Sequence, residues 1–194
     1  METAHRVVED ELLFRFGLAL GSLNGLCAVI LAVSLYAAVR VIDKNLALLA
    51  LAFELVYTAV GAVSKLIDYA FLKQQLDAYS SGILDVKQLS AHADLHSFLD
   101  AAALNVACIL YGAGSIIFFY LFLKAKTIPR ILAAWGLFGS VLVPFTSFAS
   151  IIIPHPSKLL QLGWLPIFVA EVSVGLWLLV KGVDLRSQRD EPLS

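Results

Sequence analysis

Charge is what this sequence has least of. Only 15% of its 194 residues are Asp, Glu, Lys or Arg, where a soluble domain carries roughly a quarter. Neither sign is in excess, since 14 Lys and Arg stand against 15 Asp and Glu. With no basic field, nucleic acid drops out as a partner class. Cysteine is almost absent: Cys27 and Cys108 both fall in apolar stretches, which excludes a disulfide framework and predicts two free thiols. There is no nucleophile elbow, phosphate-binding loop, HExxH or CxxC, so no enzyme signature and no cofactor is expected. Lipidation signals are missing too. Leu26 stands before Cys27, where lipoprotein processing needs a small residue, and the terminal "DEPLS" is no prenylation box.

What the chain has is long apolar runs. Hydrophobic residues make up 60% of it and mean hydropathy is +0.85, so the bilayer itself is the first expected partner. About 20 apolar residues span the hydrocarbon as a helix, and five stretches qualify, near 12–39, 46–72, 98–123, 131–153 and 159–181. The predicted fold is all-α, a single-domain integral membrane bundle of five transmembrane helices. The first run is too long for a signal-peptide core and follows "VVEDE" rather than a basic region, so it is expected to remain. One sizeable outer loop, 73–97, is predicted, with a short amphipathic surface helix in it, and a tail follows at 182–194.

Lys and Arg near the span ends set orientation. One side collects Arg40, Lys44, Lys124, Lys126, Arg130, Lys181, Arg186 and Arg189, and the other Arg6, Arg15, Lys73, Lys87 and Lys158. The reading is a multi-pass protein of the inner (plasma) membrane, N-terminus outside and C-terminus cytoplasmic. All four histidines then lie on the outer side.

Small residues let helices approach where no hydrophobic effect drives them together. Gly17, Gly21 and Gly25 form such a ridge on the first span and predict close helix packing, within the bundle or across a homo-oligomer. Pro144 and Pro166 are placed inside spans, where each kinks its helix and frees a carbonyl.

Two polar constellations stand out. On the second span Glu54, Tyr57, Thr58, Gly61, Lys65 and Asp68 trace one helical stripe. An acid at mid-membrane is costly unless it faces the bundle interior or water, so Glu54 is the sharpest candidate and is expected in its neutral, hydrogen-bonding form. Lys65 and Asp68, nearer the surface, are placed to snorkel or to pair at i and i+3. Glu171, in the last span, either joins Glu54 in one buried polar site or serves packing independently. The second constellation is "AHADLHSFLD", where His92, His96 and Asp100 recur at steps of four. With His155 these are enough ligands for zinc with an open position. Solvation and capping at a helix start explain them equally, and the expectation is no stoichiometric metal.

The runs "FLKAKTIPRIL" and "EVSVGLWLLVKGV" resemble a bacterial membrane family known only as domain of unknown function 4386. The resemblance implies a six-span helical bundle with a cytoplasmic "IPR" turn, here Ile128, Pro129 and Arg130. It also implies a last helix opening on a glutamate, here Glu171, and closing in Trp177 to Val183, with a further glutamate matched by Glu54. Departures are Leu51 where an arginine is expected and Ile131 where a tryptophan is expected, with Trp135 one turn on. The family's first helix is not found, since Met1 leads directly into what resembles its second. The family implies no activity. From the buried acids the expected function is binding or moving a small molecule or proton. An assembly protein without chemistry is the alternative, and a metal-dependent intramembrane hydrolase using the histidines is another.

Overall fold

The computed structural model describes residues 11–80, 86–153 and 162–181. Five helices form an all-α bundle: α1 (Glu11–Val39), α2 (Lys44–Ser80), α3 (Val86–Ala125), α4 (Arg130–Ile152) and α5 (Leu165–Lys181), the last preceded by a 3-10 turn at Leu162–Trp164. The first four are long and apolar enough to cross a membrane. The fifth has 17 residues. It begins at Leu165 rather than 159, and residues 159–161 lie outside the described ones.

Helix α3 is the axis of the bundle. It packs against α2 on one flank and α4 on the other, with α1 against α2 and more lightly α3, and α5 against α4. Phe118, Phe119, Leu121 and Phe122 of α3 are buried against Val39, Ala47, Ala50, Ala133, Val143, Ile167 and Ala170 from the other helices. Large apolar side chains such as Leu20, Ile30, Phe145 and Phe168 point outward. That is the pattern for a surface solvated by hydrocarbon, where the outside can be as apolar as the inside.

Local chemistry sets the turns. Asp43 accepts the backbone N–H of Asn45 and of Leu46 at 3.1 and 3.0 Å, capping α2. Lys126 adopts the left-handed conformation (φ 57°) at the end of α3. Pro129 then takes the N-cap position of α4.

Three sequence expectations change here. The predicted outer loop 73–97 is helical wherever it is described: α2 runs to Ser80 and α3 starts at Val86. With 37 and 40 residues, at 1.5 Å per residue both helices exceed the roughly 30 Å hydrocarbon core. No separate surface helix is present among the described residues. Pro166 is not inside a helix but at the second residue of α5, where a missing N–H costs nothing, and its carbonyl accepts Trp135 Nε1 at 3.0 Å. Within the chain the glycine ridge of α1 is not closely packed, which leaves packing across a homo-oligomer as the other half of that expectation. A side chain on Gly17 would meet nothing within 4 Å, and one on Gly25 would only reach Thr58 Cγ2 at 4.0 Å. Gly21 alone faces a close neighbour, the Lys65 stem at 3.2 Å. The close approaches lie elsewhere, at Gly139, where a Cβ would stand 2.7 Å from the Ile167 nitrogen, and at Gly163 against Thr146.

Candidate functional site

The polar stripe of α2 divides into two separate clusters. At its inner end, Glu54 lies half-buried against α3. It is ten residues into α2, about 15 Å from the helix start at 1.5 Å per residue and so near mid-membrane. Ser115 of α3, buried, donates to Glu54 Oε1 over a long 3.4 Å. One turn earlier on α3, the Tyr111 hydroxyl donates to Glu171 Oε1 of α5. Tyr111 and Ser115 are four residues apart and share one face of α3, so the two carboxyls meet the same side of that helix about one turn apart. Among the described residues neither carboxyl has a cationic partner.

Aromatic rings frame this bridge. Tyr57 of α2 packs against Tyr111 with centroids 5.3 Å apart, and Trp164 stacks on the other side of Tyr111 at 5.9 Å. Thr58 does not reach the carboxyl, since its hydroxyl donates to the Glu54 backbone carbonyl at 2.8 Å. The tight fit depends on Gly114. A Cβ there would lie 2.9 Å from Glu54 Oε1 and 3.2 Å from the Ala50 carbonyl. Glu171 departs from the expected buried position, because it is exposed on the flank of α5. Burial within the bundle thus varies along the site, from Glu171 on an outward flank, through half-buried Tyr111 and buried Ser115, to half-buried Glu54.

The second cluster is a ladder between the C-terminal half of α2 and the N-terminal half of α3. Lys65 Nζ donates to Asp68 Oδ2 at 2.6 Å, the i, i+3 pair, and His96 Nε2 approaches Asp68 Oδ1 at 2.9 Å. Phe71 stacks on the His96 ring at 4.2 Å. One rung outward His92 Nδ1 meets Gln74 at 2.9 Å, and one rung inward Ser64 donates to Asp100 at 2.8 Å. The four-residue spacing of His92, His96 and Asp100 thus gives a single face that pairs with α2, because helix positions i, i+4 and i+8 stay on one side. Among the described residues no group of three His, Cys, Asp or Glu is placed to hold a metal. His155 lies outside the described residues. Both cysteines are unpaired, Cys27 exposed on α1 and Cys108 buried on α3.

Sequence reasoning did not single out Tyr111, Gly114, Ser115 or Trp164. The first three stand together in "YGAGS" (111–115), a polar and glycine-rich break in an apolar run, which was the available signal. No curated protein and no solved structure matches the chain. A family profile does, over residues 1–182, and it is the one its "IPR" turn and final glutamate helix suggest. The chain belongs to the family described as domain of unknown function DUF4386.

Proposed function

We propose that this protein binds or moves a proton, or a small molecule that carries one, at the site between Glu54 and Glu171. In this reading it sits in the plasma membrane with its N-terminus outside and its C-terminus cytoplasmic, as the Lys and Arg distribution favours. The observation that carries the proposal is the bridge across three helices, in which Ser115 contacts Glu54 and Tyr111 contacts Glu171 from adjacent turns of α3. A hydroxyl both donates and accepts, so each of the two can exchange a proton with the acid it touches. Two acids without a cation favour a positively charged guest, or a proton, over an anion.

The test is a pH-gradient assay in proteoliposomes carrying a trapped pH-sensitive dye. Wild-type protein is expected to speed collapse of the gradient, and Tyr111→Phe and Glu54→Gln to remove that effect while keeping the helical content. Equal rates in wild type, variants and empty vesicles would refute proton movement. A binding role would then have to appear as a cation-dependent rise in melting temperature lost in Glu54→Gln.

A further inference from the structure

A second site lies between α1, α2 and α3, beside the acid bridge, which it meets at Tyr57. It is a cleft of about 800 Å³, in the range of sites that bury a whole small ligand. Its walls are mostly apolar and made of small residues, among them Gly21, Gly25, Gly61 and Ala103. A side chain on Gly61 would meet nothing within 4 Å. The glycines here widen a space rather than bring helices together. Apolar walls facing a void forfeit dispersion contacts, so an apolar occupant is favoured along them.

We propose that this cleft holds one phospholipid with a zwitterionic, primary-ammonium head group. The first argument is length. The cleft follows α2 from Tyr57 to Tyr69, about 18 Å at 1.5 Å per residue. Its apolar stretch, from Tyr57 to the polar level at Lys65, is about 12 Å, most of the roughly 15 Å that half of the hydrocarbon core gives an acyl chain, and the remaining turn to Tyr69 lies at the head-group level. The second argument is charge. At the outer end the cleft is lined by Ser64, Lys65 and Asp100. Lys65 spends one donor on Asp68 and Asp100 takes one hydrogen bond from Ser64. That leaves two N–H donors on the ammonium and spare acceptor capacity on the carboxylate. A phosphate oxygen satisfies Lys65, and a primary ammonium satisfies Asp100. A purely anionic head sets its charge beside Asp100, and a quaternary ammonium has no N–H to offer it.

The experiment is native mass spectrometry of the full chain, released from micelles holding equal amounts of phosphatidylethanolamine, phosphatidylglycerol and phosphatidylcholine. One phosphatidylethanolamine per chain is expected in preference to the others. Gly61→Leu fills the cleft and is expected to lower retention roughly tenfold, about 1.4 kcal/mol, without lowering the melting temperature. If Gly61→Leu does not fold, Gly25→Leu fills the same space from α1. Asp100→Asn is expected to erase the preference for ethanolamine over choline, whereas Glu54→Gln leaves retention unchanged, so that the two sites succeed or fail separately. Absence of retained lipid, equal retention of all three lipids, or wild-type retention in the filled variant overturns the proposal. A lipid-free dimer that Gly61→Leu dissociates does so as well, by placing a second copy in the cleft.

Discussion

His96 Nε2 stands 2.9 Å from Asp68 Oδ1, on a carboxyl whose other oxygen receives Lys65 at 2.6 Å. Asp68 is therefore the fastening point between the C-terminal half of α2 and the N-terminal half of α3, and it is itself buried. Asp68→Asn keeps the shape but loses the charge-assisted bonds, and is expected to lower stability by about 1–3 kcal/mol. His96→Ala leaves the Lys65 pair and is expected to cost less. Thermal unfolding in detergent measures both, and unchanged melting temperatures would mean that water replaces the ladder at no cost. Because His92, His96 and Asp100 each already have a partner on α2, elemental analysis of purified protein is expected to find no stoichiometric zinc. About one zinc per chain, lost in His96→Ala, would revive the hydrolase reading.

Glu54 has no cationic partner among the described residues, and an ionised acid at mid-membrane is expensive. Glu54→Gln retains a neutral hydrogen-bonding group and is expected to insert and fold nearly as wild type. Glu54→Lys is expected to fold poorly. Infrared difference spectra between wild type and Glu54→Gln should show a protonated carboxyl stretch. An ionised carboxylate instead would mean that water or a cation reaches the site, favouring ion binding over a closed proton relay.

Glycines of this bundle differ in what surrounds them, and alanine substitution should separate them. Gly114→Ala drives a methyl group to 2.9 Å from Glu54 Oε1 and is expected to cost about 1–3 kcal/mol by overpacking, with a shifted Glu54 carboxyl band. At Gly61 the added methyl enters open space. Gly61→Ala is expected to be neutral or stabilising by up to about 1 kcal/mol, the helix-propensity gain. Equal melting temperatures for the two variants would show that Glu54 does not lodge against α3.

Orientation is open to cysteine labelling in intact cells. In a background lacking Cys27 and Cys108, single cysteines at Ser80 and Ser157 are expected to react with an impermeant reagent, and one at Ser187 is not. Labelling at Ser187 with protection at Ser80 would reverse the assignment drawn from the Lys and Arg distribution.

Much of the helical frame was legible because spanning length is a local property. A run such as 131–153 announces a helix by composition alone, and it coincides with Arg130–Ile152 within a residue. Pairing of Lys65 with Asp68 was legible for the same reason, since three residues on one helix bring two side chains together whatever else the chain does. The start of the last helix was not legible because apolar residues run on through 159–164, whereas α5 begins at Leu165, next to the Pro166 carbonyl that accepts Trp135 Nε1 of α4.

The amino-acid sequence by itself determined that this is an all-helical membrane protein with an acid near the middle of one helix and a histidine face at the edge of another. Hydrophobic length and helical period depend only on neighbours along the chain. Only the tertiary structure decided that Tyr111 reaches Glu171, sixty residues away, that "AHADLHSFLD" extends α3 and pairs with α2 rather than forming a loop, and that Gly25 and Gly61 border a cleft. In a bilayer an outward face is as apolar as an inward one, so hydrophobic pattern cannot say which side of a helix meets a neighbour. That choice rests on the fit of individual side chains, such as the Glu54 carboxyl in the space Gly114 leaves for it.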